Sequence, residues 1–378
     1  METTTKRGLY IHVPFCKSRC HFCAFYLEIY HPNLAERFVS SLTREMTWYA
    51  ARRLFIDRPI ESVYFGGGTP TTLSNQQLSL VISTIREQFP LEPQAEVTIE
   101  AHPDAMTAPY LDALVDTGFN RISFGAESMN QDELVSIGRQ GSASATSLAV
   151  ELARKCGFEN INLDLMYGLP GQTRKSWLRT LQDTIALQPA HVSCYALTVE
   201  DHTRLESEIH RGLMAEPDPE IQNELETIAE WELAAGGFHR YEISNYSRPG
   251  YACRHNLLYW TGGYYLGLGP SAQSYFGDLR WGNIPDLESY GRLLGQGNLP
   301  MTDINILSSD QLRREHFVFG LRKTEGVCPN RGPGEDEAEW VLAVQRLIQQ
   351  NLLVQTDDRI ALTDWGRRFA DSIALQLL

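Results

Sequence analysis

Six short runs of β-forming residues punctuate the first 200 positions at intervals long enough to hold helices. The runs are LYIHV (9–13), SVYF (62–65), VTIE (97–100), RISFG (121–125), INLDL (161–165) and HVSCYA (191–196). Rich in Val, Ile, Tyr and Phe, they read as strands. Stretches with helical spacing of apolar residues lie between them at 33–54, 75–88, 142–156 and 174–187, the second led by Ser74 as a capping residue,. Such alternation implies βαβ crossovers and a parallel sheet, either an open doubly wound sheet or a barrel, whole or partial.

The strand ends favour a barrel. The first run leads into a cysteine loop, the second ends in GGGTP, the third ends at Glu100, the fourth runs into Glu127, and the fifth carries Asp164. The carboxyl ends of parallel strands open on one face, where barrel enzymes build their sites. Core packing gives no reason for so many polar ends on one side.

After about residue 200 the rhythm changes. Residues 217–236 read as a helix, HRYEISNY (239–246) as a strand, and TGGYYLGLGPSAQSYFG (261–277) as glycine-rich loop,. From about residue 305 a separate module reads helix, short hairpin, helix, a winged-helix-like outline rich in Asp and Glu. The expected organisation is an α/β partial (β/α)6 barrel over 1–200, a barrel extension over 201–304 and a mostly helical module over 305–378, the last a lid or docking element rather than a DNA reader.

Composition narrows the function. The chain has 378 residues, 43% of them apolar, and a formal net charge of −14. That is enough apolar material for a sizeable core, and the acidic balance with no Lys/Arg run argues against nucleic-acid partners. No stretch approaches the ~18 apolar residues of a membrane span, and the N-terminus lacks a signal peptide's apolar segment. A cytoplasmic protein is expected, with any membrane contact peripheral or through partners. Seven cysteines, an odd number, do not suggest a disulfide framework,.

Three of those cysteines, Cys16, Cys20 and Cys23, sit in FCKSRCHFCAF (15–25). Clustered thiols in a reducing compartment point to metal. A structural zinc would want a fourth ligand; His21 is hampered by short tethers to Cys20 and Cys23, and His12 lies on the strand before the loop. A cubane iron–sulfur cluster held by three thiolates leaves one iron open to a small molecule.

The loop resembles the signature of the radical S-adenosylmethionine (SAM) superfamily. That resemblance implies a [4Fe–4S] cluster on Cys16, Cys20 and Cys23 whose open iron takes the amino and carboxylate groups of SAM. It further implies that Tyr10, Phe22, Gly67, Gly68, Thr69, Glu100, Glu127, Arg139 and Asp164 hold the cofactor. YIHVPFC, GGGTPT, LDLMYGLPGQT, YEISNYSRPGY and HNLLYW occur in the order found in oxygen-independent coproporphyrinogen III oxidase and its relatives. HNLLYW is similar to the His-Asn-x-x-Tyr-Trp stretch of HemW-type haem chaperones, which implies haem as ligand, His255 as the residue associated with it, and haem-accepting, respiratory proteins as partners. Imidazole is a common haem-iron ligand; Cys253 is a second candidate, and Tyr259 and Trp260 would offer aromatic walls.

The oxidase carries a further cysteine where this chain has Phe25, which favours a carrier without catalytic residues over the alternative, radical decarboxylation of a porphyrinogen. Glu127 stands where relatives have Gln, and Gln140 and Gln273 where they have His. Glu127 adds negative charge near Glu100 and Asp164. The oligomeric state is open between monomer and homodimer.

Overall fold

The computed structural model describes residues 5–55, 57–328, 337–356 and 358–378. Its centre is a curved sheet built on the six expected strands: β1 (Arg7–Val13), β2 (Ile60–Gly67), β3 (Leu91–Ala101), β4 (Arg121–Glu127), β5 (Asn160–Tyr167) and β6 (His191–Ala196). They lie side by side in chain order and are all parallel.

Away from irregularities near Ile60 and Glu127, each strand alternates as a period of two demands,. One face carries Leu9, Ile11, Val63, Phe65, Val97, Ile99, Ile122, Phe124, Ile161, Leu163 and Val192. These belong to one core with Phe38, Leu42, Leu78, Ile85 and Trp177 from the surrounding helices. The other face carries Tyr10, His12, Ser62, Tyr64, Glu96, Glu100, Arg121, Ser123, Asn162, Asp164, His191 and Ser193. The barrel interior is therefore polar, unlike the packed aliphatic layers of a closed (β/α)8 barrel.

The expected helices form close to their expected limits: Pro32–Ala51, Asn75–Gln88, Ala143–Lys155 and Arg174–Ala186. Ser74 closes a reciprocal capping box with Gln77, a device worth about 1 kcal/mol.

Two expectations for the middle of the chain fail. HRYEISNY is not one strand: β7 (His239–Arg240) and β8 (Asn245–Ser247) flank a turn in which the buried Glu242 carboxylate accepts from Ser244 N at 3.0 Å. The glycine-rich stretch is largely sheet. Its β9 (Tyr264–Leu268) pairs parallel with β1 and β10 (Gln273–Phe276) antiparallel with β9, followed by β11 (Leu279–Asn283) and β12 (Met301–Ile306). Gly267 permits this because a Cβ there would lie 2.2 Å from the Gln273 carbonyl oxygen. The sheet among the described residues thus reads β12-β11-β10-β9-β1-β2-β3-β4-β5-β6-β8-β7.

HNLLYW lies within the helix Arg254–Trp260. The C-terminal module is mostly helical and winged-helix-like: helices Ser309–Leu321 and Glu337–Gln349, a hairpin of Leu353–Gln355 and Ile360–Leu362, and the helix Ala370–Leu377. Phe317, Trp340, Leu347, Leu353 and Ile373 give it a core of its own.

Candidate functional site

The cysteine loop leaves the carboxyl end of β1 and is closed at its base by pairing of Phe15–Cys16 with Glu28–Ile29. Arg19 organises it from within, donating to the carbonyls of Cys23 (3.3 Å) and Leu27 (3.2 Å). His21 N donates to Ile137 O and His21 O accepts from Leu205 N, at 2.9 and 2.8 Å. Phe22 packs on the apolar cluster of Ile137, Met166, Leu169, Leu197 and Leu205. The loop is thereby fixed over the barrel mouth by elements that follow β4, β5 and β6.

The three thiols are half-buried and free of disulfides. Burial pushes Cys16 and Cys23 above the ordinary thiol pKa; Thr69 opposes this at Cys16, while Cys23 and Cys20 raise it further. At Cys23, Cys20 adds to the rise. Cys16 Sγ is 3.4 Å from Thr69 Oγ1, and Arg139 Nη1 donates to Cys20 Sγ at 3.7 Å.

Neither histidine weighed as a fourth ligand is presented to these thiols. His12 Nε2 pairs with Tyr26 O at 3.1 Å and its Nδ1 with Tyr10 OH at 3.3 Å. His21 Nδ1 is 3.8 Å from a Glu208 carboxylate oxygen. Among the described residues no three His, Cys, Asp or Glu side chains close around one point, as a mononuclear zinc would require. Three thiols on one short loop, with no fourth ligating side chain among the described residues, fit a three-cysteine cluster,.

The GGGTP turn is locked to the start of that loop. Gly68 N donates to Val13 O at 2.9 Å and Thr69 N to Phe15 O at 2.6 Å. A Cβ on Gly68 would lie 2.6 Å from Phe15 O, and one on Gly67, whose φ is +106°, 2.7 Å from the His12 ring. These glycines let two backbones meet.

Below the loop, three carboxylates share the upper interior. Glu100 accepts from Tyr64 OH at 2.8 Å; Asp164 accepts from Ser123 Oγ and Asn162 Nδ2, both at 2.8 Å. Glu127 adopts the left-handed region (φ 62°) at a bulge in the β4–β5 register, which re-aims its side chain,. Its partner is Arg139, 3.6 Å away, which also donates to Gly125 O at 2.5 Å. Burial, and then the nearby Asp164 charge, lifts Glu100 to about 7. Burial likewise lifts Glu127 to about 7, Arg139 opposing and Asp164 adding to the rise. A site with this surplus of half-buried carboxylate suits a cationic ligand, and the sulfonium and ammonium of SAM answer to that description.

Tyr10 lies deeper, its ring stacked on Tyr64 at 6.2 Å and on His255 at 6.3 Å. His255 lies in the helix Arg254–Trp260. It is 1% exposed and packs near Gly8 and Ser62, at the amino ends of β1 and β2. Its Nδ1 pairs with Ser62 Oγ and its Nε2 with Tyr259 OH, both at 2.9 Å. Burial and the nearby Arg121 charge hold it neutral, its pKa lowered to about 3. The imidazole expected to meet haem is thus neutral but engaged at both nitrogens, and its ring lies 5.2 Å from that of Tyr64, whose hydroxyl donates to Glu100. Cys253 is fully buried against Glu96, 3.4 Å away. Gln273 is exposed on β10, and the Gln140 backbone bonds to His102.

Sequence reasoning missed Ser62, Tyr64, Glu96, Ser123, Asn162 and His191, which line the same interior. His191 Nδ1 pairs with Asn162 Oδ1 at 2.6 Å and its Nε2 with Tyr241 OH at 2.8 Å. The signal was available as the second phase of each strand's alternation.

Residues 10–184 match the Radical SAM superfamily, and residues 307–369 match the HemN C-terminal domain. Over its whole length the structure is similar to the coproporphyrinogen III oxidase HemN of Escherichia coli, described as a radical SAM enzyme, with a TM-score of 0.85 at 24% identity over 99% of this chain and 90% of that one; this likeness concerns the fold. The heme chaperone HemW of Mycobacterium tuberculosis is 36% identical over 98% of this chain and 94% of its own. That of Bacillus subtilis is 32% identical over 97% and 98%. Identity of this degree along nearly the entire length places the chain in the HemW haem chaperone family of the radical SAM superfamily.

Proposed function

We propose that this protein is a haem chaperone: it binds haem, a [4Fe–4S] cluster and SAM, and delivers the haem to acceptor proteins. The observation that carries the reading is near-full-length identity with proteins named heme chaperones. The three-thiol loop above a carboxylate-rich interior supports the cofactor set.

In this reading Cys16, Cys20 and Cys23 would hold the cluster, which would supply a binding point for the amino-acid end of SAM. Gly67, Gly68 and Thr69 form the turn beside it, and Tyr10 and Phe22 shape its surroundings. Glu100, Glu127 and Asp164 face the sulfonium and ribose, with Arg139 beside the SAM carboxylate. A reduced cluster of this kind supplies an electron to bound SAM. The chain's own part is to exclude water from the mouth with the Phe22 cluster and to keep the ligand's positive charge against half-buried carboxylates. Respiratory haem proteins at a membrane are the acceptors that fit a carrier, and among the described residues no helix is long and apolar enough to cross a membrane.

The test is anaerobic reconstitution, then haem titration and transfer to an apo-cytochrome b. Saturable haem binding, transfer to the acceptor and a paramagnetic-resonance signal altered by SAM are expected. Protein that takes up no haem, or converts coproporphyrinogen III under reducing conditions, would overturn the reading.

A further inference from the structure

Glu100 differs from the other two carboxylates of the upper interior in what holds it. Glu127 faces the Arg139 guanidinium, and Asp164 takes bonds from Ser123 and Asn162. Glu100, near the end of β3, is held by the end of β2. It accepts from Tyr64 OH at 2.8 Å and from the Gly67 amide. Its carboxylate lies against Gly66, where a Cβ would stand 3.1 Å from the carboxyl carbon and from both oxygens. We propose that Tyr64 is a positioning residue for SAM, acting through Glu100 by fixing that carboxylate where it meets the ligand's positive charge. The inference rests on the SAM reading above and deepens it by naming the side chain that presents Glu100.

The Tyr64 ring is well placed for this task. It shares the interior face of β2 with Ser62, as strand alternation requires. Ser62 Oγ pairs with His255 Nδ1, and Tyr259 OH with His255 Nε2, both at 2.9 Å. The imidazole pinned in this way lies nearly parallel to the Tyr64 ring, with centroids 5.2 Å apart and planes 28° apart. The Tyr10 ring packs on it as well, at 6.2 Å and 25°. A phenol packed against two rings has little rotamer freedom left. Its hydroxyl is already aimed at Glu100 before a ligand arrives, so no ordering cost falls on binding.

The same bond bears on the charge of Glu100. Burial, and then Asp164, pushes that carboxyl up to about 7; the bonds from Tyr64 and Gly67 and the charge of Arg121 oppose the rise. Tyr10 stays a neutral phenol beside it, because burial and the Glu100 charge both raise its pKa. A hydrogen bond donated to a carboxylate favours the ionised form. Without the Tyr64 hydroxyl, Glu100 would titrate higher, and less of it would carry a charge for a cation near neutrality.

The test uses the full chain with its cluster reconstituted and SAM binding followed by calorimetry. Tyr64→Phe keeps the ring and removes only the hydroxyl. At pH 7 it should weaken SAM binding about tenfold, as loss of a charge-assisted hydrogen bond does. In a Glu100→Gln background the same substitution should change affinity less than about twofold, because the carboxylate it acts through is gone. The loss from Tyr64→Phe alone should also shrink at pH 9, where Glu100 is ionised with or without the phenol. That second comparison needs no Glu100 variant and decides the matter should Glu100→Gln lose its cluster or its SAM binding. Wild-type SAM affinity in Tyr64→Phe, or a loss undiminished in Glu100→Gln or at pH 9, overturns the positioning role while the SAM reading stands. Wild-type protein that binds no SAM overturns that reading, and the positioning role with it.

Discussion

The carboxylate of Glu96, on β3, caps the helix that contains His255. It accepts from Arg254 N at 3.1 Å and from His255 N at 3.3 Å, and Cys253 Sγ lies 3.4 Å away. A barrel strand thus supplies the cap that the helix lacks locally, since Cys253 makes no side-chain capping bond. Glu96→Ala should destabilise the protein by about 2 kcal/mol, the upper range for a lost cap. Amide exchange should accelerate across Arg254–Trp260 ahead of the β-strands. Unchanged protection of that helix would show that the cap contributes nothing.

Gly68 is held by the cysteine loop itself. Its missing Cβ is what allows Phe15 N, C and O to approach, at 2.6 to 2.9 Å from where that atom would stand. Gly68→Ala should push the GGGTP turn and the base of the loop apart, at a cost of roughly 1–3 kcal/mol. Iron and sulfide content after reconstitution should fall, while Gly171→Ala, with no atom within 4 Å of its added carbon, should keep its cluster despite backbone strain at φ 77°. Equal iron in both variants would contradict this.

Glu45 offers a pH test away from the thiols. It is fully buried on the helix Pro32–Ala51 and accepts from Tyr290 OH and Asn283 Nδ2, both at 2.6 Å, and from Gly269 N at 2.9 Å. Burial dominates these bonds and raises its pKa from 4.5 to about 7. The folded state therefore holds a proton that the unfolded state releases first. The contribution of Glu45 is fully present below about 4.5 and is lost as pH rises through about 7,. Glu45→Gln should be less stable overall by roughly 1–3 kcal/mol, because one donor loses its acceptor. Urea midpoints measured from pH 4.5 to 8 should decline less steeply for the variant than for wild type. Parallel curves would refute the buried titration.

Much of this architecture is legible in the chain. The six strands and four helices follow from periodicity, because each strand spends one phase on Val, Ile, Leu and Phe that only helices can cover. The mouth was legible from Glu100, Glu127 and Asp164 at strand ends. The bottom was not. TGGYYLGLGPSAQSYFG reads as loop because its glycines obscure the strand pattern, yet Gly267 is needed where β9 passes the Gln273 backbone. HNLLYW is too short for helical periodicity to register, and its cap, Glu96, lies 158 residues before Arg254. Distant contacts of that kind decide what His255 touches, and the motif alone does not encode them.

Glu127 has the sharpest consequence for SAM. It is a third carboxylate beside Glu100 and Asp164, and burial lifts its pKa to about 7, Arg139 opposing and Asp164 reinforcing the rise. A cationic ligand stabilises the ionised form, so binding should release a proton near neutrality and tighten as pH rises through about 7,. Glu127→Gln should weaken SAM binding to the reconstituted protein by roughly tenfold, about 1.4 kcal/mol, at pH 8. The gap should shrink at pH 6, where Glu127 is mostly protonated and resembles the amide. Calorimetric titration at both pH values, in buffers of different ionisation enthalpy, reads the affinity and the proton count together. A variant that binds SAM as tightly as wild type at pH 8, or releases the same number of protons, would remove Glu127 from the cofactor's surroundings.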